Sequence, residues 1–114
     1  MAQLLLSTYE EQYRSQIIYI FNRFHMDMLK IAKNKFVVMN SHNPDLDAED
    51  AVQRAFLRIT KYIHNLEFPM SDDKLRCYAY TVVLHEVMRI LDDNKKQLEF
   101  HEEIFEDWEY NILD

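Results

Sequence analysis

Histidine, cysteine and carboxylate side chains are the groups of this chain that could hold a metal or move protons. Their spacing argues against both. The five histidines, His25, His42, His64, His85 and His101, include no pair four residues apart and no Cys/His cluster, so a helix-borne metal site is not expected. Cys77 is the single cysteine. As a nucleophile it would need a neighbouring base and an accessible thiolate, and its position near the start of an amphipathic helix fits packing or partial exposure instead. The carboxylates are plentiful, but paired acids on helix surfaces are ordinarily solvated. With no glycine in the sequence there is neither a phosphate-binding loop nor a dinucleotide fingerprint. No enzymatic activity, no metal and no cofactor are expected.

A different constellation is more telling. Residues 47–59 read DAEDAVQRAFLRI. On a helix, Ala51, Val52, Ala55 and Phe56 form one side, while Asp50, Gln53 and Arg54 stand together on the other. Taken alone this is a capped amphipathic helix with ordinary surface charges. Its neighbours in the chain give it a context.

Helices must position these groups, because turns that need positive φ normally recruit glycine and a hairpin-rich β fold would lack them. The expected fold is all-α, a compact bundle of three to four helices. The first helix is expected from Ser7 or Thr8, with Glu10 or Glu11 completing a capping box. Tyr9, Tyr13, Ile17, Ile20, Phe21, Phe24, Met28 and Ile31 make its apolar stripe, which extends to about Asn40. Pro44 ends any continuation. The second helix is expected from Asp45 or Asp47 and buries Leu46, Ala51, Val52, Ala55, Phe56, Ile59, Ile63 and Leu66. A loop follows over 64–73, in which Pro69 pushes Phe68 towards an extended backbone. The third helix, capped by Ser71 or Asp72, buries Leu75, Tyr78, Ala79, Val82, Val83, Val87, Ile90 and Leu91 and frays near Asn94. Leu98, Phe105, Trp108 and Ile112 fall roughly on one face and suggest a fourth.

The charge of −7 is uneven. Residues 97–114 contain seven acids and no lysine or arginine, which leaves residues 1–96 with thirteen acids and thirteen bases. A neutral body keeps nucleic-acid binding open, where the whole-chain charge would count against it. The domain division is therefore 1–96 for the helical body and 97–114 for an acidic tail. No apolar run reaches the roughly 20 residues that span a bilayer. MAQLLLS lacks the basic flank of a signal peptide. With one cysteine, a reducing, cytoplasmic setting without membrane contact is expected.

The order of these segments resembles region 2 of a bacterial RNA polymerase sigma factor of the extracytoplasmic-function type. Asp47 to Asp50, Gln53, Phe56 and Leu57 match the first motif of that family, and Tyr78, Tyr80, Val82, Ile90 and Leu91 fit its later pattern. The likeness covers roughly residues 8–96. Arg54 stands where the family usually has Glu, and His85 where Asn is usual. Leu84, Asp92 and Asp93 fall at commonly basic positions.

The resemblance implies binding of core RNA polymerase, through the clamp helices of its largest subunit, by Asp50, Gln53, Arg54 and Leu57. It also implies recognition and melting of the promoter −10 element. Phe68 would hold an unstacked base, and Lys74, Arg76, His85, Arg89 and Lys96 would line the strand. An anti-sigma factor is a further partner the resemblance allows. The tail becomes the start of a linker, or a segment folding back over the third helix as a DNA mimic. Residues 74–96 carry five bases and three acids, which favours the alternative of a sigma-like protein-interaction module without DNA binding. A homodimer through the apolar tail is a third possibility.

Overall fold

The computed structural model describes residues 11–113, and side chains for 13–97. The described residues form three helices: α1 (Glu11–Val38), α2 (Pro44–Tyr62) and α3 (Asp72–Leu113), with a 3-10 turn at Ile63–Asn65 after α2. No strand occurs among the described residues. Tyr19 meets Asp72, and eight residues further along each helix Asp27 meets Tyr80. Helices α1 and α3 therefore run parallel, and α2 returns between them. None of the helices is long and apolar enough to cross a membrane, among the described residues.

The core stripe of α1 is Ile20, Phe24, Met28, Ala32 and Phe36, all at most 1% exposed. This spacing of four follows the i, i+4 ridge of the helix. Opposite it, α2 buries small residues, Ala48, Ala51, Val52 and Ala55, together with Ile59. Leu75, Ala79, Val82, Val83, Val87 and Ile90 close the same core from α3.

The connections are made without glycine. The chain leaves α1 through Asn40, whose φ is 58°. Ser41 N–H donates to Phe36 O at 2.9 Å and Asn40 N–H to Val37 O at 3.1 Å, the paired bonds of a Schellman cap, in which asparagine replaces the usual glycine. Helix α2 opens on Asn43, whose Oδ1 accepts from Leu46 N–H at 3.3 Å, with Pro44 in the first turn. Ser71 caps α3. Its Oγ accepts from Lys74 N–H at 3.3 Å and its carbonyl from Leu75 N–H at 3.0 Å. The Phe68–Pro69 bond before it is cis.

Several sequence expectations need correction. Asp45 and Asp47 lie in the first turn of α2 rather than capping it. Proline lacks an N–H and loses nothing at a helix start, so Pro44 begins α2 and the residue before it becomes the cap. Phe21 is 45% exposed and Leu46 61%, whereas Ala32, Phe36 and Ala48 are buried. Tyr13, Ile31, Phe56, Leu66, Tyr78 and Leu91 are partly buried and pack on the rim of the core.

Helix α3 does not fray at Asn94. It continues through Lys95–Lys96–Gln97–Leu98–Glu99, all good helix formers. Residues 97–113 therefore belong to α3 and form no separate helix, and there is no turn at which they could reverse over it. Ser7, Thr8, Tyr9 and Glu10 lie outside the described residues.

The left-handed backbone at Asn40 gives a direct test. Asn40→Gly should leave stability unchanged or raise it by a few tenths of a kcal/mol, while Asn40→Val should lower it by about 1–2 kcal/mol, read from urea denaturation midpoints.

Candidate protein-docking and nucleic-acid interface

Helix α2 has two unlike faces. Its small residues point inward, and Leu46, Asp50, Gln53 and Leu57 recur at spacings of 4, 3 and 4 on the side away from the core, with Arg54 beside them. Leu57 is 49% exposed. Asp50 and Arg54, one turn apart, form a two-pronged pair, Nε to Oδ1 at 3.1 Å and a second guanidinium nitrogen to Oδ2 at 3.0 Å. Both groups are nearly half exposed, so the pair contributes only about 0.3–0.5 kcal/mol to the helix. Its greater effect is on presentation, because the row offers a paired dipole flanked by Gln53 and two leucines.

An aromatic patch extends this row onto α1. The Phe21 ring stacks on His25 at 4.6 Å and 29°, and meets Phe56 at 5.0 Å. Phe21 thus stands at the surface between α1 and α2. Sequence reasoning placed it in the core and gave His25 no role. The i, i+4 spacing of Phe21 and His25 was the available signal.

Phe68 lies just past the C-terminal end of α2, half-buried against the rim of the core. With Pro69, Met70 and Leu75 it forms the apolar wall of a cleft of about 560 Å³, whose polar side is Ser15, Gln16, Tyr19 and Asp72. Gln16 Oε1 is cut off from water and has no hydrogen-bond partner among the described residues. Tyr19 O–H donates to Asp72 Oδ1 at 2.7 Å, and that bond is the main reason its phenol is pushed above its ordinary value. An amide, a phenol and a flat apolar wall together suit a planar ring with polar edges.

The cations expected on α3 do not form one site. Lys74, His85, Arg89 and Lys96 are exposed, and their separations of 11, 4 and 7 residues keep them near one face of the helix. From Lys74 to Lys96 this face runs about 33 Å. Arg76 lies on the opposite flank, half-buried and 3.5 Å from Asp73. Thr81 and Asp92 share the exposed stripe. Cys77 is free and exposed.

Glu86 is the functional surprise of α3, a carboxylate only 3% exposed. Its Oε1 accepts from Arg58 Nε of α2 at 2.7 Å and from Arg89 of its own helix at 2.5 Å. One buried oxygen therefore ties α2 to α3 and restrains a member of the cationic row. Beside this clip, burial pushes the Tyr78 phenol up, with Arg58 acting in the opposite direction. Tyr80 donates to Asp27 at 3.1 Å, and its phenol is also raised, first by desolvation and then by that bond.

Among the described residues, no three of His, Cys, Asp and Glu gather closely enough to hold a metal ion. Comparison with protein families, with curated proteins and with solved structures finds no match.

Two outcomes follow from this geometry. Glu86→Ala should cost about 1–3 kcal/mol in chemical denaturation, below the full value for a broken buried pair because Arg58 and Arg89 can rehydrate. The raised phenols favour the protonated form in the fold. Their contribution is complete below pH 10.0, the ordinary phenol value, and is lost as the pH climbs through the higher folded values. The denaturation midpoint should therefore fall above that pH, and Tyr80→Phe should flatten part of the fall.

Proposed function

We propose that this chain is a sigma-like transcription domain. It binds core RNA polymerase through the outer face of α2 and contributes to recognition and melting of the promoter −10 element. The observation that carries the reading is the two-faced build of α2. Its inner side is committed to the bundle, and Asp50, Gln53, Arg54 and Leu57 are left together on the outside. A coiled-coil partner presents an apolar seam with charged flanks, and this row offers leucines around a polar centre to match. The Asp50–Arg54 pair softens the reversed sign at Arg54, since a clamp helix would meet a neutral pair rather than an isolated cation.

In this reading Phe68 and the cleft beside it receive an unstacked base. Lys74, His85, Arg89 and Lys96 run along the strand, a length of about ten nucleotides at 3.4 Å each. The domain would act in the cytoplasm, with no catalysis and no cofactor of its own. An anti-sigma factor would compete for the same outer face.

A second reading, a protein-interaction module that never touches DNA, is favoured by a specific observation. Arg76 and Arg89 are each held by an acid, Asp73 and Glu86, which lowers the charge available to phosphates.

Co-purification with core polymerase tests the first step. Asp50→Arg should weaken the complex by about tenfold or more, and Gln53→Ala by a smaller factor. Complexes of unchanged strength would remove the clamp assignment. Fluorescence-monitored opening of a −10 duplex by the polymerase complex then decides between the readings. Opening that depends on Phe68 and Lys74 supports the sigma role, and binding without opening supports the module.

A further inference from the structure

The last part of α3 leaves the bundle. Every residue from Asp92 to Gln97 is exposed, nearly two turns with no covered side. The helix nevertheless continues to Leu113, about 33 Å past Leu91 at 1.5 Å per residue. The molecule is accordingly 67 Å long and only 29 by 20 Å across.

The sequence of this projection has the pattern of a partnered helix. Leu84, Leu91, Leu98, Phe105 and Ile112 recur every seven residues, and His101 and Trp108 fall three places after Leu98 and Phe105. That is the a and d register of a coiled-coil seam. It begins on the flank of the bundle, where Leu84 is 37% exposed. The residues around it include Glu99, Glu102, Glu103, Glu106, Asp107 and Glu109, with no lysine or arginine from 97 onward. Beyond Glu99, whose i, i+4 partner is Lys95, the stretch has none of the opposite-charge i, i+4 spacings that support an isolated helix in water.

We infer that residues 92–113 dock a cationic amphipathic helix of another protein. Its apolar stripe would pair with the a and d positions 98, 105, 108 and 112, and its lysines or arginines with the acidic e positions 102 and 109. Charge selects this occupant. Over residues 97–113 a second copy would set six further carboxylates against the first six, and phosphate-bearing surfaces are repelled for the same reason. Three heptads beyond Leu91 are enough length for such a pairing. The inference is independent of the role of α2.

Trp108 is the single tryptophan and reports on this segment alone. The full chain would be titrated with a synthetic peptide of about four heptads carrying Ile at a, Leu at d and Lys at e and g. A scrambled peptide of identical composition is the control. The heptad peptide should shift Trp108 emission to the blue with one-to-one saturation, and the scrambled peptide should not. Leu98→Glu with Phe105→Glu should weaken binding at least about tenfold. An equal response to both peptides would reduce the segment to a charged tail and overturn the inference, as would no response at all. A dimer found by sedimentation without peptide, and abolished by the same substitutions, would overturn it in favour of a second copy.

Discussion

The close approach of α2 to its neighbours is the constraint on which the rest of the molecule depends. Ala48, Ala51 and Ala55 give α2 a nearly flat inner face, and Phe24, Met28 and Phe36 supply the volume from α1. Each large side chain removed from water contributes about 1.5–3 kcal/mol, several times what an exposed ion pair such as Lys33–Asp45, at 2.8 Å, can add. Apolar packing therefore decides where α2 lies, and the polar pairs adjust it. With the inner face committed, the rotation of α2 about its axis is fixed. Asp50, Gln53, Arg54 and Leu57 then face outward as a consequence of where the alanines are.

Glu86 acts differently from the apolar core. Burying a carboxylate is costly, and two arginines on one oxygen offset that cost without making a strong net gain. What the arrangement adds is selectivity, because a slip of α3 by one turn against α2 would leave Glu86 buried without Arg58. The clip also couples two surfaces. Arg58 leaves α2 between its core and outer faces, and Arg89 belongs to the cationic row of α3. A partner that pulled Arg89 onto a phosphate would have to replace one of the two hydrogen bonds of Glu86.

Much of this was legible in the sequence, and the failures have identifiable causes. Large residues spaced by four, Ile20, Phe24 and Met28, marked the α1 stripe. The continuation to about Asn40 was expected, but Ala32 and Phe36 were not singled out as its buried members, because alanine carries little hydropathy signal and Val37 and Val38 make the same turn apolar all round. Phe21 and Phe24 are both apolar and one turn apart, so only the position of α2 decides which is covered. Asp45 and Asp47 were expected to start α2, and Asn43 was overlooked as the cap that Pro44, by its missing N–H, selects. Asp50, Gln53 and Arg54 of the outward row followed from helical spacing, whereas Leu46 was expected inside and Leu57 entered through the family resemblance. Arg76 was grouped with the other cations by charge, although a turn of 100° per residue already separates it from Lys74. Glu86 could not be found from its own helix, since its burial rests on Arg58 from another.

The length of α3 also bears on how the acidic end affects the cationic row. Lys74, beside the Phe68 cleft, is about 36 Å along the helix from Leu98, where the acidic stretch begins. At physiological ionic strength the Debye length is about 8 Å, so the acids there have almost no electrostatic hold on Lys74 or His85. Lys96 stands next to them and feels them fully. An unbroken helix thus works as a spacer. It lets one chain carry a neutral body and a strongly acidic projection without the second neutralising the first, which a flexible tail of the same composition would do by folding back.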